Sequence, residues 1–171
     1  MFLLYTEKVR KLTTIAMLIA LEILLSRFFS IATMTVKIGF SFLPIAVIAI
    51  CYGPLAAGFG YAIADYIGAT LFPIGPYFPG FTVTCFFCGI AYGIFLYRPG
   101  RTLGWPSVIL AVITVLSLQL LLDTMWVVML TGKGYIAVLP ERVLKVVVML
   151  PVQILCIQMV QRRVLPLVWK N

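Results

Sequence analysis

The chain has 171 residues, of which 63% are hydrophobic and 11% charged, with a net charge of +8 and no histidine; its mean hydropathy is +1.14. Ordinary globular chains are about 45–50% apolar, so this excess leaves lipid as the solvent for most side chains and leaves no room for a soluble enzyme domain. The missing imidazole excludes histidine ligands and bases, and basic residues set between apolar runs fit membrane topology rather than a nucleic-acid partner. The expectation is one integral-membrane domain over residues 1–171, all-α, with six transmembrane helices.

Met1 to Lys11 carries Lys8, Arg10 and Lys11 before a long apolar run without a small-residue cleavage site. A retained first helix, not a removed signal peptide, is therefore expected. That first span runs from about Val9 to Phe28. Ala16-x-x-x-Ala20 puts two small residues on one face, where another helix can approach closely. Glu22 lies within the span and Arg27 near its end; ionisable groups at membrane depth are functional suspects, with a snorkelling anchor as the plainer reading of Arg27. A connector from Phe29 to Gly39, containing Lys37, has the length to fold over a cavity mouth. The second span, Phe40 to Tyr52, rises only about 20 Å against a hydrocarbon core of about 30 Å, so it is expected either to be partly sheltered by neighbours or to start below the surface, and both suggest a recess on that side. Gly53-Pro54 ends it in a tight turn.

On the third span, Leu55 to Leu71, the residues Gly58, Ala62, Asp65, Ala69 and Phe72 share one helical face. That face suits protein or a cavity rather than lipid, and Asp65 either serves a site or bonds a neighbouring helix. The stretch Phe72-Pro-Ile-Gly-Pro-Tyr-Phe-Pro-Gly-Phe81 is uncharged, aromatic and broken by prolines, so a stiff loop is expected, either a connector or a lid over a flat ligand. The fourth span, Thr82 to Tyr97, carries Gly89-x-x-x-Gly93 for close packing. Cys85-Phe-Phe-Cys88 has metal-ligand spacing but lacks a second pair, so a zinc site is not expected. After the basic turn Arg98-Pro-Gly-Arg101, a fifth span from Trp105 to Leu130 places Gln119, Asp123 and Trp126 on one face. The last span is expected to start at Pro140-Glu141, with Arg142, Lys145 and Met149 sharing a face, a kink at Pro151 and an end near Arg162-Arg163.

Six spans put both termini on one side. Lys8, Arg10, Lys11, Arg98, Arg101, Arg162, Arg163 and Lys170 then face Arg27, Lys37, Lys133, Arg142 and Lys145 across the membrane. The richer side is the cytoplasmic one by the positive-inside rule. The five contrary cations sit around the outer mouth, where they attract an anion. Around them lie Asp65, Phe72, Tyr77, Phe78, Gln119, Asp123 and Trp126. Aromatics stack on a planar ring, a carboxylate or amide pairs with ring N–H groups, and cations hold carboxylates. A flat, heteroaromatic, anionic ligand entering from outside fits these residue types. No P-loop is present, so this chain does not hydrolyse ATP by that route, and no inverted six-span repeat stands out. A binding subunit that docks on an energised partner is the economical reading. Two alternatives belong to other classes: an intramembrane aspartyl protease built on Asp65 and Asp123, and a cell-envelope scaffold.

Several motifs carry a resemblance. Leu21-Glu-Ile-Leu-Leu-Ser-Arg-Phe28, Lys37-Ile-Gly-Phe-Ser-Phe-Leu-Pro44, Gly53-Pro54, Ala64-Asp-Tyr-Ile-Gly-Ala69, Leu71 through Thr82 and Gly89-Ile-Ala-Tyr-Gly93, in that order, resemble the folate-specific S components of energy-coupling-factor (ECF) transporters. The likeness is dense from about residue 12 to 97; beyond 105 it rests on span count and polar placement. It implies a six-helix vitamin-binding protein of the bacterial cell membrane, without a cofactor of its own. Its partners would be folate, a transmembrane coupling protein of EcfT type and two cytoplasmic ATPases. The resemblance also implies that Ala16 and Ala20 dock on the coupling protein and that Arg27 and Lys37 lie near the substrate mouth. Phe72–Phe81 would be a gating loop. Folate suits the residue set: Asp123 and Gln119 would pair with the pterin edge, Tyr77, Phe78 and Trp126 would pack on the rings, and Arg27, Lys37, Arg142 or Lys145 would neutralise the glutamate. An S component for another vitamin is the nearest alternative.

Overall fold

The structure is a computed structural model and describes residues 2–32, 37–73, 75–98, 103–132 and 134–168. Helix α1 spans Phe2–Arg27 and starts earlier than the hydropathy pattern suggests. The connector after it is not irregular: β1 (Ser30–Ala32) and β2 (Lys37–Gly39) pair antiparallel with Ile31 opposite Ile38. This hairpin is the one departure from an all-helical chain among the described residues. The β-branched Ile31 and Ile38, flanked mostly by small residues, can pair locally where the chain leaves the helix end.

Helix α2 (Phe42–Tyr52) is the core element. It touches α1, α3 (Pro54–Leu71), α4 (Pro79–Leu96) and α7 (Tyr135–Val168), and Ile45, Ile48 and Ala49 are fully buried. A helix of only 11 residues, apolar on all sides, is stable when neighbours enclose it, as its shortness anticipates. Gly53 turns the chain into α3 with φ 87° and an extended ψ, a conformation open to glycine, and Pro54 follows at the first helical position.

The tightest contact joins α3 to α4. A Cβ on Gly93 would lie 2.1 Å from the Pro54 Cα, and one on Gly89 would lie 2.4 Å from the Ala57 carbonyl oxygen. The Gly89/Gly93 pair therefore does what its spacing suggests: it brings two backbones into contact where a hydrophobic driving force between helices is absent.

Helix α4 begins at Pro79, three residues before Thr82, because Pro79 occupies the first turn, where its missing N–H leaves nothing unpaired. The fifth rod is one continuous run, Trp105–Thr131, made of α5 (Trp105–Leu118), a π turn (Gln119–Asp123) and α6 (Thr124–Thr131). Gly132 caps it in the left-handed region at φ 65°. Helix α7 starts at Tyr135, not at Pro140, and runs through both Pro140 and Pro151. Gly132 and Gly134 supply the break, and a membrane helix tolerates an internal proline when its surroundings satisfy the freed carbonyl.

Among the described residues, three helices are long and apolar enough to cross a bilayer: Pro79–Leu96, Trp105–Thr131 and Tyr135–Arg163. Large apolar side chains such as Leu12, Met17, Leu55, Ile94, Val147 and Met159 point outward, while the interior holds a contiguous apolar core. The result is a multi-pass membrane fold with its hydrophobic residues on both the inside and the outside.

Candidate functional site

Two polar networks meet at the start of α4. In the first, the Arg27 guanidinium lies 3.9 Å from Asp65, and both side chains are largely buried. Thr82 donates to the other Asp65 oxygen at 2.8 Å, and the Tyr77 hydroxyl is 3.1 Å from Thr82. Arg27 reaches this position along Gly68, where a Cβ would lie 2.8 Å from its Nε. The Arg27 Nε is buried and has no hydrogen-bond partner among the described residues. Asp65 thus ties α1, α3, α4 and the aromatic loop together, which is the helix-bonding role the sequence left open for it.

In the second network, Trp126 on α6 donates its indole N–H to Thr84 at 3.0 Å, and the Thr84 hydroxyl lies 3.2 Å from the Gly80 carbonyl oxygen. Asp123 lies near Thr84 and interacts electrostatically with Lys145 and Arg142 on α7, and with Asp65. Gln119, Leu120, Arg142, Lys145 and Val146 line a small recess of about 10 Å³, room for about one water. Arg142 is only 7% exposed, and its Nε has no hydrogen-bond partner among the described residues. Gln119 and Asp123 bound the π turn, a wider coil that often marks functional positions in helices.

The aromatic loop joins the networks. Phe78 packs on Trp126 with ring centroids 5.5 Å apart, and Tyr77 packs edge-on against Tyr66 at 5.8 Å. A Cβ on Gly80 would lie 2.6 Å from both Phe78 and Trp126, so this glycine lets the two rings close over α4. Phe72 turns the other way and packs on Phe28 at the end of α1, 45% exposed.

Of the sequence-selected residues, the fold brings Arg27, Asp65 and Tyr77 into one cluster, and Gln119, Asp123, Trp126, Arg142 and Lys145 into an adjoining one, with Phe78 between. Phe72 stands apart from both. Lys37 lies on β2, and its side chain is outside the described residues, as is Lys133. Ala16 and Ala20 are exposed on α1, away from these clusters. Sequence reading passed over Thr82, Thr84, Gly80 and Tyr66. A threonine in an apolar helix commonly bonds a carbonyl of its own helix, so neither threonine advertises a partner elsewhere.

Two cations and an amide on one small recess, with a carboxylate and packed rings in the adjoining network of a multi-pass membrane bundle, suit a membrane protein that binds a small polar ligand. The paired-carboxylate protease reading finds no support here, since Asp65 is held by Arg27 and Thr82 while Asp123 belongs to the second network. The profile described as "ECF transporter, substrate-specific component" matches residues 10–161, and the chain belongs to that family. It is a transport component and not an enzyme. Similar proteins include "Folate transporter FolT" of Clostridium novyi (strain NT), 37% identical over 151 residues, covering 88% of this chain and 87% of that one. "Folate transporter FolT" of Leuconostoc mesenteroides subsp. mesenteroides is 31% identical over 150 residues, covering 85% and 80%. The fold is also similar to a crystal structure of FolT bound with folic acid, with TM-score 0.83 and 34% identity over 89% of this chain and 92% of that one.

Proposed function

We propose that the protein is the folate-binding S component of an ECF transporter: one integral-membrane unit over residues 1–171 that captures folate from outside. The observation that carries this reading is that Arg142, Lys145 and Gln119 share one recess, with Asp123 interacting electrostatically with both cations, in a chain similar to folate transporters. Asp123 and Gln119 pair with the pterin edge, and Tyr77, Phe78 and Trp126 pack on its rings. Arg142 and Lys145 face the glutamate carboxylates, with Arg27 and Lys37 nearer the mouth. The unpartnered Arg142 Nε is a buried donor that a carboxylate satisfies. Phe72 belongs to the loop that gates entry. Pockets for drug-sized ligands run about 300–1,000 Å³. The recess, at about 10 Å³, is far smaller, so folate enters only when the surrounding side chains move apart.

Six rods span the membrane with both termini cytoplasmic, which sets the recess on the outer side, as the basic residues sort. The exposed Ala16/Ala20 face docks on a transmembrane coupling protein of EcfT type, which carries two ATPases. The test is mass spectrometry of the small molecule that co-purifies, followed by titration with folate. Folate bound to the wild type, and weakened at least about tenfold by Asp123→Ala, supports the reading. A different vitamin, or folate affinity unchanged in the variant, moves the substrate or removes Asp123 from the site.

A further inference from the structure

Asp65 and Gly68 stand one turn apart on α3, yet the ligand set above gives Gly68 no role. The last residue of α1, Arg27, lies across both. A Cβ on Gly68 would be 2.8 Å from the Arg27 Nε and 3.3 Å from its Nη2, so the guanidinium rests on bare backbone along that edge. Nη1 is the nitrogen farther from Gly68. Nη2 is also 3.9 Å from the Asp65 Oδ1. That separation compensates charge but is too long for a hydrogen bond, which runs about 2.7–3.2 Å. An arginine free to approach a carboxylate closes into a two-bond fork. Here the other Asp65 oxygen already takes the Thr82 proton at 2.8 Å, and α3 holds the guanidinium at its own distance. The Arg27 side chain is 10% exposed, and its Nε has no hydrogen-bond partner among the described residues. Its charge is balanced, but Asp65 does not take its protons.

We propose that Gly68 is a positioning residue for a carboxylate subsite at the mouth: it seats the Arg27 guanidinium flat on α3, with Asp65 as countercharge only, so that the Nη1 end is kept for a carboxylate of the ligand. Arginine suits this task because its plane, once fixed, presents donors in a set direction. Thr82 assists by occupying one Asp65 oxygen, which leaves Asp65 a single oxygen to offer Arg27. A methyl at position 68 lifts the guanidinium off its seat. Arg27 then turns its donors elsewhere, and the ligand carboxylate loses a charged partner.

This inference rests on the folate reading, and the choice of ligands separates the two. Folate and pteroate share the pterin and the benzoyl ring, but pteroate lacks the glutamate. Wild type, Gly68→Ala, Arg27→Lys and the double variant are each titrated with both. Gly68→Ala is expected to weaken folate about tenfold and to leave pteroate within about twofold. Arg27→Lys is expected to weaken folate to a similar degree. The double variant is expected to match the weaker single variant within about threefold, because a lysine has no plane to seat and its slender end clears the new methyl. Equal weakening of both ligands, an unchanged folate affinity in Gly68→Ala, or losses that multiply in the double variant overturn the proposal. A glycine needed only for helix packing neither selects for the glutamate nor couples to Arg27. Should Gly68→Ala not yield folded protein, Arg27→Lys in the same chain is expected to restore folding; failure to do so places the clash elsewhere and overturns the seat. If the wild type binds neither ligand, the substrate reading itself is wrong. The seat is then decided by melting alone: Gly68→Ala melts lower than the wild type and the double variant recovers, or the seat is refuted.

Discussion

Arg142→Met should push stability and affinity in opposite directions. Arg142 is a buried cation whose Nε finds no acceptor among the described residues, and it lines the recess beside Lys145 and Gln119. An unsatisfied buried donor costs about 1–3 kcal/mol, and methionine of similar length removes that cost. Arg142 also attracts Asp123, which offsets part of the gain, although Lys145 remains to face that carboxylate. The net gain for the empty protein falls at the low end, about 1 kcal/mol. For a chain of this size that is a rise in Tm of about 2–4 °C. With folate present the sign reverses. A charge-assisted hydrogen bond to a carboxylate is worth about 1.5–3 kcal/mol, so Kd should rise about 10- to 150-fold. Saturating ligand at 100 times the wild-type Kd adds about 2.7 kcal/mol to the wild type, and the variant forfeits about 1.3–2.4 kcal/mol of it at the same concentration, more than the roughly 1 kcal/mol it gains when empty. Thermal melts in detergent, with and without folate, therefore cross: the variant melts higher when empty and lower when loaded. A variant that binds folate as tightly as the wild type refutes the ligand role. One that melts lower when empty refutes the claim that the guanidinium is under-satisfied.

Three further outcomes are expected. Gly93→Ala drives a methyl into the Pro54 backbone and should cost about 1–3 kcal/mol by overpacking, seen as a lower Tm; an unchanged melt would mean that α3 and α4 are not in contact there. Asp65→Asn removes the charge partner of a largely buried Arg27 and should lower Tm more than Thr82→Val, which deletes one neutral donor to the same carboxylate; the reverse order argues against the ion pair. Ala16→Trp should leave folate binding by purified protein intact and abolish uptake by cells, and normal uptake removes that face of α1 from docking.

Much of the candidate site was legible because membrane sequences spend few polar residues. Asp65, Gln119, Asp123, Arg142 and Lys145 stand out in apolar runs, and helical spacing alone placed Gln119 with Asp123, and Arg142 with Lys145. The family motifs before residue 97 gave the aromatic loop its expected place. What escaped were elements without a hydropathy signature. The strand pair Ser30–Ala32 and Lys37–Gly39 uses ordinary residues and exists because two short stretches meet. The π turn adds one residue to a coil without changing composition. Pro140 looks like a helix start, yet α7 begins five residues earlier, because local preference for proline in a first turn yields to a helix whose remaining contacts hold it. Thr82 and Thr84 were invisible for the opposite reason: their partners lie 17 and 42 residues away.

Composition and order by themselves determined that this chain lives in lipid, the order of its helices though not their ends, and which few polar side chains interrupt the apolar runs. Those properties follow from backbone hydrogen bonding and transfer free energy, which act residue by residue. Only the tertiary structure decided which polar groups share a neighbourhood. It placed Asp65 under Arg27 and Thr82, set Asp123 beside Thr84 and opposite Lys145 and Arg142, and laid Phe78 on Trp126. Such pairings depend on how closely backbones approach and how each rod is rotated, and those are fixed by glycines at Gly80, Gly89 and Gly93 acting on residues far away in the chain.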